Sequence, residues 1–290
     1  MEIIGWKMPR DYKLVVNADN HLGSPYVNPH KIEQMVDYVA STPNCWFTNI
    51  GDNCECIAPH DTKRFKFNKC EYQTPKEQAD AFVKLLMPIQ KKIIAIGEGN
   101  HEDKMFNAFP MNEYISEQLG AKIGGYDYIL VMFDAKTGKL MHKLLFHHGR
   151  SCGTSRSVDD IRRKANIEVS VKMFLNGLGY NDVIACYMGH IHRFVIVEPS
   201  LENTLRMVVN TKTGQIDEVY NSIEDQNVDC IHADARWYCC TGSMMKTYAP
   251  SGSKGRTSYA ERAGYAPAEI GFLVQTVENG RVVNIESVKI

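Results

Sequence analysis

Histidine, aspartate and asparagine side chains gather in five short polar blocks, each of which follows an apolar run. Carboxylates, amide oxygens and neutral imidazoles are ligands of borderline divalent metal ions. The blocks are NADNH (17–21), IGDN (50–53), GEGNH (97–101), FHHG (146–149) and MGHIH (188–192). They offer more donors than one ion can take, namely Asp19, His21, Asp52, Asn100, His101, His147 or His148, His190 and His192. We therefore expect two metal ions, about 3.5 to 4 Å apart.

The GHIH block is the most specific of the five. Gly189 allows the backbone to approach closely, and in an extended segment residues i and i+2 point to one face. His190 and His192 are therefore expected to face one site, each toward one ion. A lone histidine after a strand is more often a hydrogen-bonded, half-buried residue, and Asp19 and Asp52 could cap helices. The joint occurrence of all five blocks favours a common site.

Hydrophobic periodicity predicts the elements that bring the blocks together. Apolar runs at 12–21, 45–53 and 93–101 read as buried strands, separated by helices that open at Pro29 and at Thr74-Pro75. This βαβαβ order implies a parallel sheet with crossover helices. Ligands of such sheets bind beyond the carboxyl ends of the strands, where the polar blocks stand.

The rest of the chain reads as hairpins, one helix and two strands. Residues 126–148 and 269–290 are predicted to be antiparallel hairpins, the second with a turn at Asn279-Gly280. A helix follows Ser157, its expected N-cap, and strands are expected at 182–190 and 194–200. Residues 53–74 and 201–262 are less periodic. We interpret them as insertions in a single domain that covers 1–290.

Composition is that of an ordinary globular protein. Of 290 residues, 44% are hydrophobic and 23% charged, and the formal net charge is −1, so no global positive field is available for a nucleic-acid backbone. The N-terminus lacks a basic stretch followed by an apolar core, and no run approaches 18 apolar residues. These features predict a cytoplasmic protein without a membrane partner.

Nine cysteines occur without regular CxxC spacing. In a reducing compartment they are expected to be free thiols. An alternative is a structural zinc ion held by Cys54, Cys56, His60 and Cys70, although CxC is not a usual zinc spacing.

The ordered set DNH (19–21), GD (51–52), GNHE (99–102), HHG (147–149) and GHIH (189–192) resembles the signature of the calcineurin-like metallophosphoesterases. The resemblance covers about the first two thirds of the chain. It implies an α/β fold, a four-layer α-β-β-α sandwich of two mixed sheets with flanking helices. It also implies a dimetal centre at the sheet ends.

The same resemblance assigns ligands to each of the two metal ions. One ion would be held by Asp19, His21, Asp52 and His192, and the other by Asp52, Asn100, His148 and His190, with Asp52 bridging. His148 is preferred to His147 because the family usually places the ligand directly before the glycine. His101 would not bind metal but would lie near the scissile ester. Glu55 is assigned no role beyond supporting the ligands.

This arrangement predicts a dimetal-dependent phosphoester hydrolase, with manganese favoured over iron, zinc or nickel. Two cations would neutralise the phosphate and lower the pKa of a bridging water, so that hydroxide attacks the phosphorus. Asp52 would set the metal separation, and His101 would protonate the leaving alkoxide as general acid. Asn100, Arg150 and Arg193 are predicted to bind phosphate oxygens, and the alternative for the two arginines is a solvated position on the surface, the common state of this residue.

Three functions compete. We favour a phosphodiesterase that acts on a small phosphodiester or nucleotide, because the net charge is close to zero. The alternative is a DNA or RNA nuclease of the repair-exonuclease branch, with single-stranded nucleic acid as partner. Residues 237–265, among them Trp237, Lys246, Lys254, Arg256, Arg262 and four tyrosines, suit either stacking and backbone contact or a lid over a small substrate. A non-catalytic scaffold is disfavoured because none of the expected ligands is missing.

Overall fold

Two six-stranded mixed sheets form the centre of the protein in a computed structural model. The structure describes residues 1–57, 72–153, 155–201, 203–222, 225–248, 261–262, 264 and 266–290. The first sheet has the spatial order β1 (Glu2–Met8), β6 (Asp127–Asp134), β7 (Leu140–His147), β8 (Ala185–Met188), β12 (Trp237–Cys240) and β9 (Val195–Val197). The second has the order β14 (Arg281–Lys289), β13 (Gly271–Glu278), β2 (Tyr12–Asn17), β3 (Cys45–Asn49), β4 (Ile93–Gly97) and β5 (Lys122–Gly125). Strands β10 (Asn203–Val209) and β11 (Ile216–Ser222) pair separately.

Helices cover the outer faces of both sheets. They are α1 (Pro29–Ser41), α2 (Pro75–Leu86), the short α3 (Asn100–Asp103), α4 (Met111–Leu119) and α5 (Asp160–Gly177). Helices α1, α2 and α4 pack on the second sheet, where Met35, Phe82 and Ile115 share a core with Phe47 and Phe272. The buried side chains of α5, Ile167, Val171 and Leu175, pack on the first sheet.

A third core lies between the sheets. It unites Leu14 and Leu273 of the second sheet with Leu130, Leu144 and Tyr187 of the first. Each fully buried large apolar side chain of this kind contributes about 1.5 to 3 kcal/mol. The two sheets therefore pack face to face with helices outside, and the predicted four-layer α-β-β-α sandwich is confirmed.

The predicted βαβαβ unit is confirmed as well. Strands β2, β3 and β4 are parallel neighbours, joined through α1 and α2. Asn28 caps α1, since its side chain accepts a hydrogen bond from His30 N at 3.1 Å. Thr74 and Glu77 form a capping box at the start of α2. Local capping thus starts both crossover helices where the sequence places them.

The cap expected at Ser157 is wrong. Helix α5 begins two residues later, because the Asp159 carboxylate accepts a hydrogen bond from Arg162 N at 2.7 Å. Both predicted hairpins are confirmed. In the second, Asn279 and Gly280 have φ values of 52° and 81°, the left-handed pair that a two-residue hairpin turn requires.

Strand β12 belongs to the first sheet although it lies in the aperiodic interval 201–262. It runs parallel to β8 and antiparallel to β9. Trp237 and Tyr238 are consequently buried in the core. These two rings are therefore unavailable for stacking on a nucleic acid, which was one of the two interpretations of this stretch. Lys254 and Arg256 of the same stretch lie outside the described residues.

The cysteines of the described ranges are free thiols. Cys54 and Cys56 are buried, whereas His60 and Cys70 of the alternative zinc group lie outside the described residues. Within the described ranges, none of the helices combines the length and apolar character that crossing a bilayer needs.

His142 is buried between the sheets and should make stability depend on pH. Its Nδ1 lies 3.0 Å from the Gly280 carbonyl oxygen and its Nε2 2.9 Å from the Tyr12 hydroxyl. Burial lowers the pKa of His142 from 6.5 to about 4, against the opposing effect of the Gly280 hydrogen bond. Between these values only the unfolded chain binds the proton, so acid favours unfolding. The free energy of unfolding should lose about 3 kcal/mol through this group as pH falls from 6.5 to 4.

Urea titrations of the wild type and His142→Gln across this pH range measure the contribution as a difference. The free energies of unfolding of the two proteins should converge as pH falls, because only the wild type has the imidazole that binds a proton on unfolding. His30→Gln is the matched control, since His30 lies exposed on α1. Parallel curves for wild type and His142→Gln would contradict the prediction.

Candidate metal centre

The polar blocks converge at the carboxyl ends of the strands. Asp19 and His21 follow β2, Asp52 follows β3, and α3 begins at Asn100, three residues after the last residue of β4. Three clusters of side chains have ligand atoms that lie within 4.8 Å of one another. They are Asp19, His21 and His192, here called the first group; Asp52, His148 and His190, called the second group; and His21, Glu55 and His101. Loops of both sheets thus contribute to one site.

Asp52, a member of the second group, also faces the first group. Its Oδ2 is 3.7 Å from His21 Nε2 on one side and 3.4 Å from His148 Nε2 on the other. Its Oδ1 accepts a hydrogen bond from His101 N at 2.9 Å. One carboxylate oxygen therefore faces both groups, a geometry that suits a ligand shared by two ions.

The first group brings together three atoms that can bind a metal ion. His192 Nε2 lies 3.1 Å from His21 Nε2 and 3.4 Å from Asp19 Oδ1. Among the described residues, the buried Asp19 Oδ1 has no hydrogen-bond partner. An unsatisfied buried polar atom costs about 1 to 3 kcal/mol, and more when the group is charged. A cation among these three atoms would remove that cost, so the group fits a metal ion.

The second group also fits a metal ion, as the tautomer of His148 shows. His148 Nδ1 lies 3.1 Å from the Ile50 carbonyl oxygen, which only accepts, so Nδ1 carries the proton. In the neutral imidazole, the form that binds a metal ion, the Nε2 lone pair then points to the side of Asp52 Oδ2, 3.4 Å away, and Asn100 Oδ1, 3.3 Å away. A backbone carbonyl behind the imidazole is the usual support of a metal-binding histidine.

Left-handed backbone conformations are concentrated at these residues. Of eight non-glycine residues with positive φ in the described ranges, five are Asp19 (54°), His21 (46°), Asp52 (50°), His190 (68°) and His192 (51°). Strain of this kind persists only where the surroundings enforce it, and it is typical of functional sites. The extended segment expected for the two histidines of the GHIH block is therefore wrong. Strand β8 ends before them, and local turns aim them at different groups.

Two glycines permit the close approach of these loops. A Cβ at Gly99 would lie 2.1 Å from Asp52 Oδ1, and one at Gly189 would lie 2.9 Å from Asp19 Oδ2. Neither position accepts a side chain while the carboxylates keep their places. The role expected for Gly189 agrees with this contact.

The carboxylates of the site favour positive charge on the two histidines beside them. Burial opposes charge on His21 and His148, but the carboxylates of Glu55 and Asp52 beside them raise the pKa of each to about 9. Burial likewise opposes ionisation of Asp52, yet His148 and His21 hold its pKa well below its usual range. A potential that stabilises two buried imidazolium ions also favours divalent cations.

Glu102 supports the site, although its sequence position predicted no role for it. It is buried, and its carboxylate accepts hydrogen bonds from Asp52 N at 3.0 Å, Cys54 N at 3.0 Å and Gly99 N at 2.9 Å. Burial raises its pKa to about 7, with the charge of Asp52 as a further cause. A glutamate three residues after a helix-starting position was the available signal. Glu102 thereby ties the loop after β3 to the start of α3.

Glu55 contributes two contacts from outside the first and second groups. Its Oε2 lies 3.1 Å from His21 Nδ1, and its backbone oxygen lies 2.6 Å from His101 Nδ1. Because that carbonyl only accepts, His101 carries a proton on Nδ1 and directs Nε2 into the site. Burial lowers the pKa of His101, as does the neighbouring His21.

Three predicted residues lie apart from the two groups. His147 Nδ1 accepts a hydrogen bond from Gly149 N at 2.8 Å, and its ring packs edge-on against Tyr126 and Phe174. Arg150 is exposed, with its guanidinium carbon 5.0 Å from the centre of the Phe174 ring. Arg193 is also exposed. The contacts of Arg150 and Arg193 with phosphate oxygens stay predictions.

Among the comparisons with known proteins, the solved structures give similarity of fold. No family model and no curated protein matches the sequence. The fold is similar to a crystal structure of wild-type Vps29 complexed with Zn²⁺ from Entamoeba histolytica. The match covers 96% of this chain and 98% of that one, with 11% sequence identity and a TM-score of 0.38. A similarity of this size carries no functional argument, so function rests on the side chains described above.

Proposed function

We propose that the protein is a dimetal-dependent phosphoester hydrolase of the calcineurin-like metallophosphoesterase superfamily, with a small phosphodiester or nucleotide as substrate. The observation that carries the proposal is the position of Asp52. One oxygen of this carboxylate faces His21 at 3.7 Å and His148 at 3.4 Å, and these histidines belong to separate groups of ligand atoms. A shared carboxylate between two histidine-rich groups is the arrangement that a two-metal phosphoesterase needs.

Each of the two ions would have its own set of ligands, apart from one that both share. Asp19, His21 and His192 would hold one, and His148, His190 and the Asn100 oxygen the other, with Asp52 as the common ligand. When bound, two divalent ions supply positive charge to the phosphoryl oxygens and acidify coordinated water. The mixed nitrogen and oxygen set suits manganese, iron, zinc or nickel, and we propose manganese.

His101 is proposed to move the proton that the leaving group needs. The Glu55 carbonyl holds its Nδ1 proton in place, so Nε2 is the atom that exchanges protons with substrate. Its side chain is 21% exposed, and its Nε2 lies 4.0 Å from Asp52 Oδ2, beside the proposed metal ligands. The approach of an anionic phosphoester raises the pKa of a nearby imidazole and so favours the acid form.

Hydrolysis of model substrates tests this function. The protein is stripped with a chelator and reloaded with Mn²⁺, Fe²⁺, Zn²⁺ or Ni²⁺, and turnover of bis(p-nitrophenyl) phosphate is compared with that of p-nitrophenyl phosphate. We expect metal-dependent turnover that is greater for the diester. A labelled single-stranded DNA digest separates a nuclease from an enzyme for small substrates. Absence of turnover with all four metals would contradict the proposal and favour a scaffold.

A further inference from the structure

Lys104 places a positive charge beside the second group. It directly follows α3 and its side chain is exposed. Its Nζ lies 3.3 Å from the Asn100 side-chain atom that points away from the histidines. The opposite terminal atom of the same carboxamide lies 2.8 Å from His190 Nδ1 and 3.3 Å from His148 Nε2. The carboxamide therefore connects the histidines with the lysine.

Oxygen and nitrogen of this carboxamide can exchange places, and the neighbours decide which arrangement is stable. With the nitrogen toward the histidines, it donates to His190 Nδ1 while the oxygen accepts from Lys104 Nζ. A cation bound by His148 and His190 requires the oxygen on that side, because the NH2 group has no lone pair to offer. The NH2 group then faces Lys104 Nζ at 3.3 Å.

Two donors at this distance cannot bond to each other, but they can share one acceptor. An ammonium group and an amide N–H make strong, charge-assisted hydrogen bonds to a phosphate oxygen. His101 N is not available as a third donor, since it already donates to Asp52 Oδ1. The Asn100 atom of this pair lies 3.3 Å from the backbone nitrogen of His101, so the pair stands beside the residue proposed to donate the proton.

We propose that Lys104 Nζ and Asn100 Nδ2 form a subsite for a phosphoryl oxygen, and that the subsite forms when a cation turns the Asn100 oxygen toward His148 and His190. This inference rests on the proposed function and names a group that holds its substrate. It also makes Asn100 a two-sided residue, with its oxygen toward the metal and its nitrogen toward the phosphate.

Binding of inorganic phosphate tests the subsite without catalysis. Calorimetry is performed on the Mn²⁺-loaded wild type, Lys104→Met and Lys104→Arg, with metal content measured on the same samples. We expect Lys104→Met to weaken phosphate binding about tenfold with metal content unchanged, and Lys104→Arg to recover part of the loss. Lys91→Met is the matched control, because Lys91 is exposed beyond the opposite end of β4. In metal-free protein, Lys104→Met should leave phosphate binding unchanged.

The outcomes separate this inference from the hydrolase proposal. Unchanged phosphate affinity in fully metal-loaded Lys104→Met would overturn the subsite, even if the wild type hydrolyses phosphodiesters. A loss of affinity that follows a loss of metal would overturn it too. An equal effect of Lys104→Met with and without metal would overturn the link to the carboxamide orientation. Lys104-dependent phosphate binding by a wild type that hydrolyses no ester would support the subsite and overturn the hydrolase.

Discussion

Asp52→Asn is expected to bind at most one of the two metal ions and to hydrolyse phosphodiesters about a thousandfold more slowly than the wild type. The substitution keeps the size of the side chain but removes its negative charge. It also leaves a single oxygen where Oδ2 now faces His21 and Oδ1 accepts from His101 N. A neutral amide cannot serve both groups, because its NH2 group repels cations. Elemental analysis after dialysis measures the metal content, and a diester assay measures turnover.

Asp37→Asn is the matched control for this experiment. Asp37 lies exposed on α1, so the same chemical change there should leave both ions and the activity in place. Retention of two equivalents by Asp52→Asn would show that the carboxylate does not hold the ions together. The assignment of both metal positions would then have to be abandoned.

His101→Asn is expected to keep both ions while its turnover of an unactivated phosphodiester falls by about a hundredfold or more. His101 belongs to neither the first nor the second group, and its fixed Nδ1 proton leaves Nε2 for the substrate. Asparagine can still hydrogen bond to the Glu55 carbonyl but cannot deliver a proton. The measurement is kcat for the variant and the wild type at equal metal content.

The leaving group distinguishes proton transfer from a general disturbance of the site. A p-nitrophenolate leaves without protonation, whereas an alkoxide needs a proton. Loss of the general acid should therefore slow an alkyl ester much more than bis(p-nitrophenyl) phosphate. Equal slowing of both substrates, or near-normal turnover of the alkyl ester, would refute the role of His101. His30→Asn is the control, since His30 is exposed on α1.

Much of the fold could be predicted because its signals are local. The apolar run that forms β2 and the proline that opens α1 depend on residues close in sequence, and so does the hairpin turn at Asn279-Gly280. These features survive in any tertiary context that buries the apolar face. Strand β12 was not predicted, because the hydrophobic pattern of a four-residue strand is too short to be distinguished from that of a loop. Its pairing with β8 and β9 supplies the hydrogen bonds that define it.

The sequence by itself determined the chemical inventory of the site. It shows that aspartates, an asparagine and histidines follow successive strands, and that glycines precede several of them. Parallel pairing of β2, β3 and β4 then brings three of the polar blocks to one edge by geometry alone. That much follows from the order of elements along the chain.

Only the tertiary structure decided where each side chain points. The Ile50 carbonyl, far away in sequence, selects the tautomer of His148, while Gly149 N holds His147 away from the groups. Glu102 acquires its supporting role from N–H groups of a different loop. Side-chain direction at a strand end depends on single left-handed φ angles and on distant hydrogen-bond partners, and neither leaves a periodic pattern in the sequence.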